Sequence, residues 1–306
     1  MAPLRLPAPL QSRLDAMAAD LMSAPGLDVD FSRPAGAPAL TPPDSVSWRI
    51  FKNPVSLYIG GVAAVLLELA EPRVRSGVWD HTSFRADPVT RLRRTGLAAM
   101  VTVYAGRETS GRMIAGVNRR HARITGTADD GAAYAADDPE LLDWVQATAS
   151  FGFIGAYHSF VAPLSRAERD QAWAEAGPAA ASYGARNSPA CEADWERALA
   201  AMEPKLGPSP VLGEFLDIMR KAPALPSAGR LAQPMLIRAA VDLLPDRLQA
   251  KLELAGQGLR PWERPLVRAM GAAADRLVLE SAPPTQACVR MGLPADWLYR
   301  RGSGAA

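Results

Sequence analysis

Four side chains stand out for the chemistry that their types and spacing allow. They are Arg91, Arg94, Thr95 and His121, within DPVTRLRRTGLAAMVTVYAGRETSGRMIAGVNRRHARITG at residues 87–126. The chain has three histidines, His81, His121 and His158. An iron site made of two histidines and a carboxylate would need two of them in one place. A single inward histidine suffices where a porphyrin supplies the other four nitrogens. Guanidinium groups can then bind propionates or bound dioxygen. The plain alternative is a hydrogen-bonded core histidine beside an arginine–carboxylate pair. Helical periodicity alone favours that alternative.

Two consecutive helices must position these groups. Asp87-Pro88 makes a helix start, because Asp accepts from first-turn amides and Pro suits the first helical position. The pattern predicts a helix from 88 to about Tyr104, stopped at Gly106. Arg91, Arg94, Thr95, Ala98 and Thr102 then share one side. From Gly96 to Val103 the one polar residue is Thr102, so burial nearly all round is expected beyond the first turn. Buried arginines require an anionic or electron-rich partner. Ser110 is the expected N-cap of the second helix, which runs to about Arg123 and ends before Gly126. Met113, Ile114, Val117, His121 and Ile124 share its apolar face, with Arg112, Arg119 and Arg123 opposite. His121 therefore points inward.

The whole chain is consistent with a large core: 306 residues, 48% of them hydrophobic. Its 34 basic and 32 acidic residues give no overall reason to expect nucleic acid or an anionic membrane. Cys191 and Cys288 are far apart and read as free thiols; a structural zinc site lacks its ligands. No GxGxxG, P-loop or nucleophile elbow is present. No signal peptide is evident. Val55–Ala70 is too short for a span, contains two adjacent glycines and Glu68, and reads as a core helix. A cytoplasmic protein without a membrane span is the expectation.

Residues 1–45 are Pro/Ala-rich and read as a loosely packed arm, with a short helix from about Leu10 to Met22. Residues 46–306 read as one helical domain. Gly77–Phe84 reads as a connection, and Asp138-Pro139 opens a helix of five or six turns. Ser165 and Glu168 form a capping box for a helix that breaks at Gly177. Cys191–Met202, Pro210–Met219, Met235–Leu244, Asp246–Leu254 and Pro261–Ala282 follow. The sum is an all-α fold, about ten helices around one core, with strands unsupported. Asp137 or Asp138 is a helix cap and Trp144 core. Phe151, Tyr157 and His158 either line an apolar cavity or simply pack. His81 reads as a structural hydrogen-bonder; Glu68 and Glu71 are candidate bases without a geometry.

Read together, GVWDHTSFRADPVTRLRRT (77–95), His121 within VNRRHARITG (117–126), YAADDPELLDWV (134–145), and Tyr157 with LSRAERDQAWAE (164–175) carry a resemblance. Over roughly Pro54–Glu175 the chain resembles the oxygenases that include the latex-clearing proteins (rubber oxygenases). The fungal enzyme that cleaves the farnesyl chain of a mycophenolic acid precursor belongs with them. The resemblance implies a single large helical domain with a globin-like core holding haem b. It implies His121 as the proximal iron ligand, with Arg91 and Thr95 flanking the haem. Arg94 stands where latex-clearing proteins have a lysine able to occupy the distal iron position. Arginine keeps its proton and has no lone pair to give. Arg94 is therefore expected to donate to oxygen or peroxide, or to a propionate, and to leave the iron open. The implied activity is haem-b-dependent oxygenation of a small apolar, isoprenoid or olefinic substrate by dioxygen. Arg91, Arg94 and Thr95 are the expected catalytic residues. A haem carrier or sensor without turnover, and a peroxide-using haem enzyme, are the alternatives.

Overall fold

Asn53, Glu71, Asp87, Asp138 and Ser209 each accept hydrogen bonds from first-turn amides, and a proline follows each at the first helical position. These cap–proline pairs fix where five helices begin. In the computed structural model, residues 2–21, 23, 29–81, 83–225 and 227–300 are described. The elements are α1 (Ala8–Leu21), α2 (Val46–Phe51), α3 (Pro54–Ala70), α4 (Pro72–Trp79), α5 (Pro88–Tyr104) and α6 (Arg107–His121). A ribbon of β1 (Thr125–Thr127) and β2 (Ala133–Ala135) follows. Next come α7 (Pro139–Phe160), α8 (Arg166–Tyr183), α9 (Glu192–Met202), α10 (Pro210–Lys221) and α11 (Ser227–Arg230). The last are α12 (Gln233–Leu243), α13 (Asp246–Lys251), α14 (Glu263–Ala274), α15 (Pro283–Arg290) and α16 (Trp297–Arg300). The fold is all-α apart from the antiparallel ribbon, which pairs Gly126 with Tyr134.

Helices α3 and α7 form the hub. They cross with backbones in contact: a Cβ on Gly60 would lie 2.5 Å from the Gly152 carbonyl oxygen. A Cβ on Gly152 would lie 2.2 Å from the Gly60 oxygen. Only glycine permits that approach at both positions. No single described helix is long and apolar enough to cross a membrane. The pair α3 and α4, bent by 112°, passes that test together by length and composition. Ten residues of α3 are nonetheless buried within the protein, as expected of a core helix.

The structure corrects the sequence reading at identifiable places. Ser110 caps nothing: α6 starts at Arg107, and the buried Ser110 hydroxyl donates to the Val101 carbonyl at 2.7 Å, closing the α5–α6 corner. Helix α8 runs through Gly177 and Pro178 to a left-handed Gly184 at φ +100°. The connection expected at Gly77 is still helix, since α4 reaches Trp79. The last long helix stops at Ala274, and α15 and α16 follow it. Helix α1 starts at Ala8; Met22, residues 24–28 and Thr82 lie outside the described residues. Parts of the arm are tied to the C-terminal region. Leu4 exchanges backbone hydrogen bonds with Arg276 and Val278, and Asp15 accepts from the Ser281 amide at 3.0 Å.

The largest correction concerns the core, which is divided. One cluster gathers α3, α4, α7, α9, α10, α12 and α13. A second joins Phe31, Ala39 and Trp48 to Leu97, Met100, Val101 and Tyr104 of α5 and to the C-terminal Cys288, Leu298 and Tyr299. Helix α5 makes its main contacts with α2, α6 and α15, and meets the first cluster through Leu92. A seam between the two clusters runs along α5, crossed by Leu92 from α5 and by Leu57 from α3.

Candidate functional site

Along this seam α3 is less covered than elsewhere. Tyr58, Gly61, Val65 and Glu68 follow one another at helical spacing and are half-buried, whereas most of α3 is sealed. The stripe is apolar up to Glu68, the sole charged residue between Pro54 and Ala70. Helix α5 has its own uncovered stripe: Arg91, Ala98 and Thr102 half-buried, Thr95 exposed. The expectation that α5 is buried nearly all round fails, because only Leu97, Met100, Val101 and Tyr104 are buried. The rest faces the seam or solvent.

Charge meets across the gap. Burial pushes the Glu68 carboxyl up to about 7, against the pull of the Arg91 guanidinium and then the Thr148 hydroxyl. Thr148 Oγ1 stands 3.5 Å from Glu68 Oε1 and makes its shorter bond, 2.9 Å, to the Val145 carbonyl. Burial pulls Arg91 below its ordinary value, with Glu68 opposing and Arg94 adding repulsion. Glu68 is thus a carboxylate whose charge acts on Arg91, with no direct ion pair between them among the described residues.

His121 ends α6 beside this pair. Burial lowers its pKa, the Arg91 charge lowers it further, and Asp137 opposes. The ring is therefore neutral at neutral pH. Its Nδ1 is buried and has no hydrogen-bond partner among the described residues. The other two histidines are accounted for. His81 Nε2 lies 3.0 Å from the Tyr134 hydroxyl, and His158 Nδ1 accepts from the Leu164 amide at 2.9 Å. His81 is structural, as expected, and His158 does not face the seam as a free ligand.

The predicted quartet is thus only partly brought together. Arg91 and His121 share the seam. Arg94 is exposed, though near enough to Arg91 to repel it. Thr95 is exposed, and its hydroxyl donates to the Arg91 carbonyl at 3.0 Å, as helix threonines do. Tyr157 and Trp144 are core: Tyr157 donates to buried Asp275 at 3.3 Å, and Trp144 Nε1 to the Leu67 carbonyl at 3.2 Å. Glu71 is no base at this site; it caps α4 through the Val74 amide at 2.7 Å and pairs with Arg73. Glu68, a candidate base from the sequence, gains a setting here, Asp137 adds its charge, and Thr148 is the addition.

A neutral imidazole with an unpartnered nitrogen can ligate a metal, since ligation requires the neutral ring. A carboxyl titrating near neutrality beside an apolar stripe can hold or release a proton. The second property is measurable. Between the ordinary carboxylate range and pH 7 the folded protein keeps the Glu68 proton that the unfolded chain releases, so Glu68 lowers stability as pH rises through that window. Depressed His121 acts oppositely, losing stability as pH falls through its folded value. The difference in unfolding free energy between wild type and Glu68→Gln isolates the first effect. It should shift against wild type by about 2 kcal/mol from pH 4.5 to 7.5. Denaturant titrations at stepped pH check this; a flat difference contradicts it.

No curated protein and no solved structure matches the chain significantly. A protein family does. Residues 48–276 match the family described as "ER-bound oxygenase mpaB/B'/Rubber oxygenase, catalytic domain". The matched range contains α3 to α7, and with them Glu68, Arg91, Thr148 and His121. With most of its length inside that match, the chain belongs to this family of oxygenases.

Proposed function

We propose that this oxygenase depends on haem b, acts on a small apolar olefinic or isoprenoid molecule, and holds its iron through His121. The observation that carries the reading is the buried Nδ1 of His121, withdrawn from water and given no partner in return. Such an atom costs about 1–3 kcal/mol unless something completes it. The residues present fit a haem. The uncovered stripe of α3 is apolar, as a macrocycle requires, and Arg91 supplies a cation for propionates or developing negative charge. When bound, the haem supplies the electron chemistry that activates dioxygen.

The protein's own share follows from its groups. Neutral His121 presents a lone pair and, by its place on α6, fixes where the cofactor lies against the seam. Arg91 offers a positive charge on α5 that the Glu68 carboxylate on α3 helps to balance. Glu68 exchanges a proton close to neutrality. Tyr58, Gly61 and Val65 give an apolar olefin a half-buried surface to lie against. Arg94, always protonated, cannot close the iron as a lysine could. Membership of an oxygenase family favours turnover over mere carriage.

Turnover decides the matter. Haem-loaded protein, a reductant and a short isoprenoid such as farnesol should consume dioxygen and yield carbonyl products in matching amounts. Product formed only with hydrogen peroxide would replace dioxygen by peroxide as oxidant. No product with either would reduce the protein to a haem carrier.

A further inference from the structure

Helix α14 lies inside the family match but away from the seam, and its exposed side is unusual. Trp262, just before its first turn, is 58% exposed and Leu266 is 48% exposed. Pro265, Ala269 and Ala273 continue the same face and are exposed as well. The opposite face, with Val267 and Gly271, is buried against the hub. A surface helix ordinarily turns polar residues outward; this one turns out tryptophan, leucine and proline.

Within this stretch of chain the exposed charges have one sign. Between Gln257 and Arg276 the chain carries Arg260, Arg264, Arg268 and Arg276 against Glu263 and Asp275. Both acids are buried, at 1% and 9% exposure. Glu263 is held by Arg238, and Asp275 pairs with Lys52 at 2.8 Å. Arg264 leans on Asp242. Arg260 and Arg268 are exposed, and among the described residues neither has a carboxylate within ion-pair distance. The near-zero net charge of the chain hides this local cationic strip.

We infer that the Trp262–Leu266 face of α14 docks on an anionic lipid surface, the arginines resting among the headgroups. Tryptophan and leucine over a rim of arginine is the pattern of a helix lying in the plane of a membrane interface. Charge complementarity selects anionic lipid over a neutral bilayer. The inference does not depend on haem: α14 would bind vesicles with or without a cofactor in the seam.

Flotation of the full chain with vesicles tests it. The protein should rise with phosphatidylcholine vesicles containing phosphatidylglycerol at low salt, and stay behind with pure phosphatidylcholine. Trp262→Ser with Leu266→Ser should weaken the partition by at least about tenfold, given the apolar area withdrawn. Arg260→Gln with Arg268→Gln should weaken it by roughly tenfold and reduce its salt dependence. All four side chains are exposed, so the variants should keep the wild-type circular dichroism. A blue shift of tryptophan emission on vesicle binding should vanish in Trp262→Ser. Three results would overturn the inference: no binding to anionic vesicles, unchanged binding by the Trp262/Leu266 variant, or a dimer in solution that this variant dissolves.

Discussion

His121→Ala is expected to abolish retention of haem and, with it, oxygenase turnover, while leaving the fold intact. The two halves of this expectation rest on different observations. His121 is the histidine with a buried, unpartnered nitrogen, whereas His81 and His158 are engaged with Tyr134 and Leu164. Losing the side chain leaves no donor or acceptor orphaned, because none was satisfied. It also removes a ring next to the Arg91 charge at the C-terminal turn of α6, where alanine is a good helix former. The stability change should stay within about 1 kcal/mol. His158→Ala should behave in the opposite manner, costing roughly 1–2 kcal/mol by orphaning the Leu164 amide while leaving haem bound. Iron content and thermal unfolding of both variants check the pair. Rescue of His121→Ala by added imidazole would tie the loss to ligation. Haem retained in His121→Ala, or lost in His158→Ala, would assign the ligand elsewhere.

Gly152→Ala is expected to destabilise the protein by about 3 kcal/mol or more. The new Cβ would sit 2.2 Å from the Gly60 oxygen and 3.0 Å from its carbonyl carbon, and neither backbone atom can swing aside. Helices α3 and α7 would have to separate, loosening the hub that carries Glu68 and Thr148. Gly60→Ala should cost a similar amount for the reciprocal reason. Gly213→Ala provides the contrast. Gly213 lies in α10, is exposed, and a Cβ there meets nothing within 4 Å. That change should stabilise by up to about 1 kcal/mol through helix propensity. Denaturant unfolding of the three variants separates close helix packing from a general intolerance of alanine.

What could be read from the sequence followed from how local each feature is. Asp87-Pro88 and Asp138-Pro139 announced α5 and α7 because a cap and a proline are neighbours in the chain. The Ser165–Glu168 capping box is present as expected. Ser110 misled because its hydroxyl turns inward to Val101, a choice made by tertiary burial and not by propensity. Gly177-Pro178 misled because α8 absorbs the proline and ends only where Gly184 adopts a left-handed backbone. The inward face of His121 was legible from periodicity. The placement of Glu68 opposite Arg91 was not, nor the meeting of Gly60 with Gly152 across some 90 residues of chain. Pairings between distant segments leave no local trace in one sequence. The division of the core was hidden for the same reason, and with it the seam where the candidate residues gather.

The measurement that bears most directly on the central claim is the absorption spectrum of the wild-type protein, purified after haem supplementation and recorded oxidised and reduced. A stoichiometric Soret band is expected, with a ferrous form that binds carbon monoxide, because Arg94 cannot cap the iron. No Soret band would contradict the account. So would a haem spectrum that carbon monoxide leaves unchanged, since the iron would then be closed on both sides.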